Sequence, residues 1–269
     1  MKGRKALHRL LGAGGFWMNL KRELWVFILY LAIISVAEAI TVFMDPSLGL
    51  ITHSIIFVSL LGLSALWHGY NPASNLFLGL SLAPLTRILS LSFPLSYFPR
   101  YAWYLTAGAL MLLAALAVIR AGDLKLGDVG LTLNKPWVQL AFGLTGPAFG
   151  AMEYYILRPE PLVPGLPLAE YVLLAFSIVF FTGFVEELVF RGILQSGAVK
   201  ALGKRAGLLG VALVFAVLHM GWLSMLDMVF VFIVGLLFGF VVLKTGSIVG
   251  ASISHGLTNV VLFMVMPYT

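Results

Sequence analysis

The hydrophobic positions of this chain come in long runs, which polar and helix-breaking residues interrupt at intervals. Each run is about 20 residues long, the length of an α-helix that crosses the hydrocarbon core of a bilayer. The runs lack the alternation of apolar and polar residues that membrane-spanning strands require. The pattern therefore predicts an all-α fold, a polytopic transmembrane helix bundle of about nine spans (eight to nine). The predicted spans are residues 24–44, 48–67, 74–93, 101–119, 137–156, 169–198, 206–222, 227–243 and 247–266.

The most polar internal stretch runs from Arg120 to Pro136, and we take it as the boundary between four helices and five. This boundary divides the chain into four predicted parts. They are a basic cytoplasmic N-terminal segment at 1–22, N-terminal helices without a recognisable motif at 23–120, a polar connector at 121–136 and a C-terminal transmembrane core at 137–269.

Composition excludes the class of soluble globular domains, because 61% of the residues are hydrophobic and only 10% are charged. Cysteine is absent, so a disulfide framework, a thiolate nucleophile and a cysteine metal site are excluded too. The expected location is an integral, multi-pass position in the plasma membrane of a prokaryote.

The formal net charge of +6 is concentrated ahead of the first apolar run, which favours a segment facing an anionic cytoplasmic leaflet. The connector, the turn from Lys200 to Arg205 and Lys244 are also basic and are predicted to be cytoplasmic. An odd number of spans then puts Thr269 on the far side. No basic face recurs elsewhere, so the predicted partners include membrane lipids and no nucleic acid.

Several polar groups interrupt the apolar runs of the C-terminal half. Each charged group in hydrocarbon costs about 2.5 to 3.5 kcal/mol on insertion scales, so each needs a partner or a function. Glu187 and Arg191 are spaced i,i+4 with the acid first, which favours an ion pair of structural importance. Glu186 points about 100° away from Glu187 and has no local partner, as expected of a carboxyl in a catalytic site.

Four polar groups on three predicted helices fall at a similar depth. Glu186 and His219 each lie 14 residues from the nearest basic turn, roughly 21 Å along a helix. Counted from the last basic loop, His255 lies 11 residues in and Asn259 lies 15, roughly 16 and 22 Å. The sequence therefore predicts that these side chains converge.

The order and spacing of these residues resemble a known family, the CAAX protease and bacteriocin-processing (CPBP) intramembrane proteases. The shared pattern is EExxxR, then FxxxH, then HxxxN on successive apolar segments. The residues that carry it are Glu186, Glu187, Arg191, Phe215, His219, His255 and Asn259. The resemblance covers roughly residues 125–269, including a Gly130-Leu131 element, whereas residues 1–120 carry no family signal.

The resemblance implies that 137–269 is the catalytic core of an intramembrane glutamic endopeptidase. It implies that Glu186 is the general base that activates water and that His219 is its partner. It also implies that His255 and Asn259 bind the oxyanion, a division of roles that peptide hydrolysis requires.

The remaining motif residues, Glu187, Arg191 and Phe215, are interpreted as structural or supporting. The implied substrate is a peptide or protein, and CAAX-type C-terminal processing would make it prenylated. No cofactor is implied.

Other interpretations stay open at this point. Two histidines and one carboxylate are a known catalytic zinc set, so a zinc-dependent intramembrane protease is one alternative, although the chain has no HExxH motif. A non-catalytic CPBP-type protein, serving in bacteriocin immunity or as a membrane scaffold, is another. Further polar residues in or beside apolar segments have no partner that the sequence assigns, and two of them, Glu38 and Glu153, are candidates for lining a substrate route. The full set is Glu38, His53, His68, Arg87 and Glu153.

Overall fold

Every regular element is helical in the computed structural model, which describes residues 2–68, 71–92, 100–162, 165 and 167–269. Eight helical stretches in this part of the chain are long and apolar enough to cross a membrane. The predicted all-α, polytopic bundle is therefore confirmed. The helices are α1 Lys2–Phe43, α2 Pro46–Leu66, α3 Asn71–Leu80, α4 Leu82–Ser92, α5 Arg100–Ala121, α6 Pro136–Gly143, α7 Gly146–Leu157, α8 Leu168–Leu202, α9 Lys204–Val217, α10 Met225–Thr245 and α11 Val249–Val260.

The predicted span at 137–156 is not one helix but two, α6 and α7, which are separated by a turn at Leu144 and Thr145. The local sequence explains the break. Pro147 stands in the first turn of α7, where its missing N–H is tolerated, and it cannot continue a helix from α6. Neither α6 nor α7 alone is long enough to span a bilayer.

Together, α6 and α7 nevertheless run beside α11 along its whole length and in the same direction. Near its start, Gly250 N of α11 donates to Gln139 Oε1 at 2.7 Å, and further along Thr258 Oγ1 donates to Gly146 O at 3.1 Å. A Cβ atom at Gly150 would overlap the backbone of Thr258. Because α11 is the first part of the candidate span Val249–Tyr268, we expect the α6–α7 pair to reach similar depths and to form a ninth crossing.

Three basic segments meet at one end of the bundle. Lys200 Nζ lies 2.7 Å from Asp128 Oδ1, and its hydrogen bond holds the pKa of the Asp128 carboxyl below its usual value. Lys135 Nζ donates to Lys244 O at 3.1 Å, and Ile248 N donates to Gly130 O at 3.0 Å. The connector, the turn after α8 and the turn after α10 thus share one face, as their common basic character predicts.

The N-terminal helices and the C-terminal core share one hydrophobic core. Phe27 of α1, Phe77 of α3 and Leu194 of α8 are all buried in it. Small residues bring α3 and α8 into contact, since a Cβ at Gly197 would lie 3.0 Å from Leu76 Cα. The helices that lack a family motif are therefore part of the packing around α8.

The number of crossings can be tested by placing Lys125 and Thr269 relative to the membrane. Five crossings separate them when α6–α7 counts as one, so reporter fusions at these positions should report opposite sides. Fusion at Lys125 should report the cytoplasm, because the basic loops gather at that end. Two reporters on the same side would show that α6–α7 enters and leaves on one face.

Candidate active site

The segment that carries the two glutamates is an irregular part of α8. Val185–Glu187 is α-helical, and π-helical turns flank it at Ile178–Phe184 and Leu188–Leu194. A π turn widens the helix and occurs frequently at functional sites. Within this segment Glu187 is completely buried, whereas Glu186 is partly exposed toward a cavity. The two neighbouring carboxyls therefore have different environments.

Glu187 contacts two basic side chains, an arginine and a histidine. Arg191 Nη1 donates to Glu187 Oε1 at 2.8 Å, and His255 Nδ1 lies 2.9 Å from the same oxygen. Arg191 is also buried, with its guanidinium carbon 4.1 Å from the centre of the Phe215 ring. The i,i+4 pair expected from the sequence is present, and the bond to His255 is an addition that the sequence did not predict.

His255 is placed between the two glutamates. Its Nδ1 contacts Glu187, which leaves Nε2 directed toward Glu186, 3.9 Å from Oε2. The helices can approach this closely because α8 and α11 touch at Gly183 and Gly256, where a Cβ on Gly183 would lie 2.7 Å from Gly256 Cα. The carboxylate at Nδ1 fixes the orientation of the imidazole ring.

His219 follows the last turn of α9. Its Nδ1 lies 2.8 Å from the carbonyl oxygen of Phe215, so this nitrogen carries the proton and Nε2 is the free ring nitrogen. Within the described part of the chain, no hydrogen bond or ion pair joins His219 to Glu186. The aromatic ring of Phe215 packs against both histidines, with centroid distances of 4.8 Å to His219 and 5.9 Å to His255.

Asn259 lies one turn beyond His255 on α11. Its Nδ2 donates to Thr182 Oγ1 at 3.0 Å, and Thr182 is four residues before Glu186 on α8. The Thr182 hydroxyl in turn donates to Ile178 O at 2.5 Å. Sequence reasoning missed Thr182, because a threonine in an apolar helix is common and carries no charge that requires a partner.

One cavity of about 240 Å³ brings the four predicted catalytic side chains together. Glu186, His219, His255 and Asn259 all line it, from α8, the end of α9 and α11. Its remaining wall includes residues of both halves of the chain, among them Thr86, Arg87, Ser90, Trp103, Tyr104, Glu153, Thr182, Phe190 and Trp222. The helices at 23–120 therefore supply part of the site, although they carry no recognisable motif.

A sequence model of one family, described as type II CAAX prenyl endopeptidase Rce1-like, matches residues 167–261. This segment is similar to the Rce1-like family. The match contains all of the motif residues from Glu186 to Asn259, so the predicted CPBP relationship is confirmed. No curated protein and no solved structure matches the chain. The matched segment is thus similar to membrane endopeptidases of the CAAX type, which hydrolyse peptide bonds.

The other polar residues of the apolar segments now have positions relative to the Rce1-like segment. Glu153 lines the same cavity as Glu186, whereas Glu38 is fully buried beside His53 and Arg87. His68 is exposed in the turn after α2. Among the described residues, no group of three or more histidine, aspartate and glutamate side chains is arranged to hold a metal ion.

The buried pair in the Rce1-like segment should dominate the stability of this part of the molecule. Arg191→Ala leaves Glu187 with one partner in a low-dielectric interior, and breaking a buried pair costs about 3–5 kcal/mol. Adding Glu187→Gln to Arg191→Ala removes the uncompensated charge and should recover part of that loss. Thermal unfolding in detergent measures both effects.

The matched control is Lys200→Ala on the same helix, because Lys200 forms an exposed pair with Asp128. An exposed pair contributes about 0–1 kcal/mol, so this variant should unfold near the wild-type temperature. An Arg191→Ala protein as stable as Lys200→Ala would contradict the importance of the buried pair.

Proposed function

We propose that the protein hydrolyses a peptide bond within the membrane by means of a water molecule that Glu186 activates. The observation that supports this best is the cavity in which the Glu186 carboxyl faces two imidazoles and one carboxamide. Each of these groups has a role that peptide hydrolysis needs. The family relationship of residues 167–261 supports the same reaction class.

The proposed first step is attack by water on the scissile carbonyl carbon. Glu186 takes one proton from the water as the oxygen forms its bond to carbon. The free Nε2 of His219 accepts a hydrogen bond from the same water and orients it. Glu186 then returns the proton to the leaving nitrogen when the tetrahedral intermediate breaks its carbon–nitrogen bond, so the proton balance closes.

The proposed oxyanion site uses the donors of α11. Asn259 Nδ2 has two N–H groups, of which one binds Thr182 and the other is available to the intermediate. His255 can donate from Nε2 while Nδ1 binds Glu187 only when both of its nitrogens carry protons. The buried negative charge of Glu187 stabilises that protonated ring, which gives Glu187 a supporting role in catalysis as well as in packing.

The surroundings of the cavity favour a substrate with an apolar part. A second, smaller cavity of about 60 Å³ adjoins the site at Glu186 and lies between α4, α5 and α8. Leu89, Ala107, Met111 and Phe181 line it, and its wall is mainly apolar. We propose that it receives an apolar portion of the substrate, such as a prenyl group or a hydrophobic side chain.

Two alternative functions make different predictions. For a zinc-dependent protease, purified protein should contain stoichiometric zinc, and its activity should follow the zinc content. For a non-catalytic scaffold or immunity protein, no peptide should be cleaved in a way that depends on Glu186. Comparative proteomics of membranes with and without the protein, searching for C-terminal fragments that disappear, would identify the natural substrate.

The glutamate mechanism is tested by Glu186→Gln. The amide keeps the shape of the side chain but cannot accept a proton from water, so hydrolysis should fall by roughly 10² to 10⁴. The measurement is cleavage, in detergent, of a peptide that ends in a prenylated cysteine followed by three residues. The same peptide without the prenyl group is measured for comparison. Thermal unfolding should be close to that of the wild type.

Glu170→Gln is the matched control for this change, since Glu170 lies in the first turn of α8 and outside the cavity lining. It should leave cleavage unchanged. Full activity in folded Glu186→Gln protein would eliminate the glutamate mechanism and leave the non-catalytic alternative.

The oxyanion role is tested separately by Asn259→Ala. Loss of one donor should lower kcat by about 10² to 10³. KM should change little, because the donor contacts the intermediate more strongly than the substrate. Thr182→Val is a useful companion, since it removes the hydrogen-bond partner of Asn259 while retaining the donor. A change in KM alone for Asn259→Ala would argue for substrate binding in place of oxyanion stabilisation.

A further inference from the structure

A buried charge network lies in the N-terminal helices, outside the family motifs. It joins Glu38 of α1, His53 of α2 and Arg87 of α4. Arg87 Nε donates to Glu38 Oε1 at 2.9 Å, and its Nη2 lies 2.7 Å from Glu38 Oε2. His53 Nε2 is 3.3 Å from Glu38 Oε1, and both Glu38 and His53 are fully buried. Two parallel contacts of this kind fix the plane of a guanidinium group.

The same guanidinium reaches the catalytic half of the chain. Arg87 Nη2 donates to the carbonyl oxygen of Leu218 at 2.6 Å, although the two residues are 131 positions apart. Leu218 stands directly after α9, which ends at Val217. The last carbonyl groups of a helix have no partner within the helix and carry its partial negative charge. Arg87 therefore caps the C-terminus of α9 from another helix.

The capped carbonyl is next to a predicted catalytic residue. His219 follows Leu218, and among the described residues its side chain makes one hydrogen bond, from Nδ1 to Phe215 O. That acceptor belongs to the last turn of α9, so the position of the imidazole depends on how this helix end is held. Arg87 also lines the catalytic cavity beside His219.

We propose that Arg87 is a positioning residue that fixes the end of α9, and through it His219, for the reaction. This inference rests on the proposed function above, because it assigns His219 a part in the reaction. Glu38 holds Arg87 in the required orientation, and His53 lies against the same carboxylate. The N-terminal helices thereby take part in the active site through a backbone contact, although residues 1–120 carry no recognisable motif.

The role of Arg87 can be separated from the stability of the buried pair. Arg87→Met alone leaves Glu38 buried without its cation, which should lower the unfolding temperature strongly. Glu38→Met combined with Arg87→Met replaces both charges by apolar side chains of similar length, a change that is often neutral for stability. The double variant should therefore fold like the wild type but lack the donor to Leu218.

Activity is measured on the CAAX-type peptide for the wild type, Glu186→Gln, the double variant and Arg87→Lys. We expect the double variant to lose about 10²-fold in kcat, the cost of a misplacement of roughly 1 Å, with KM almost unchanged. Arg87→Lys keeps a charged donor without the planar fork, so it should recover part of kcat. Wild-type kcat in the folded double variant, or a rise in KM alone, would overturn the positioning role.

Hydrogen–deuterium exchange gives a second result that does not require activity. The amides of residues 216–223 should exchange faster in the double variant, because the helix end has lost its cap. Residues 239–245 of α10 serve as the internal control and should be unchanged. Equal exchange at 216–223 in both proteins would overturn the inference even if no peptide is cleaved. Equal cleavage by wild type and Glu186→Gln would instead overturn the proposed function alone.

Discussion

The contacts of the buried Glu187 carboxylate are the interaction on which the rest of the C-terminal core depends. A charge in a low-dielectric interior costs several kcal/mol unless opposite charges and hydrogen bonds compensate for it. Arg191 and His255 both provide that compensation, one from the same helix and one from α11. The requirement to satisfy Glu187 therefore determines how α8 and α11 approach each other and which nitrogen of His255 faces the cavity.

Close approach of helices is the second constraint, and it is met with small residues. In a membrane, apolar side chains gain little by leaving lipid, so tight backbone contact and polar pairing drive helix association. Gly183 against Gly256 brings α8 to α11, and Gly146 and Gly150 bring the α6–α7 pair to the other side of α11. These contacts place Glu153, Glu186 and the histidines around one cavity rather than on separate helix surfaces.

Much of this arrangement follows from spacing and depth in the sequence. The i,i+4 separation of Glu187 and Arg191 predicted their contact, and equal distances from basic turns predicted that Glu186 and His219 share one cavity. The contact between Glu187 and His255 was not predicted, because π turns on both sides of Val185–Glu187 change the directions expected of a regular helix. The break at Leu144 was missed because an apolar run conceals a Gly-Pro pair.

The sequence did not predict contacts between helices that are far apart along the chain, for a different reason. Arg87 and Leu218 are 131 residues apart, and a backbone carbonyl carries no side-chain signature that a motif could record. A partly buried arginine in an apolar segment, however, needs a partner, since its charge cannot be removed by deprotonation. Glu38 alone would compensate the charge of Arg87. The guanidinium group has further N–H groups, however, and one of them is available to donate to a backbone carbonyl. An arginine that neutralises a carboxylate on one helix can therefore also orient the end of another helix. In this way a segment without catalytic motifs can influence the geometry of the proposed site.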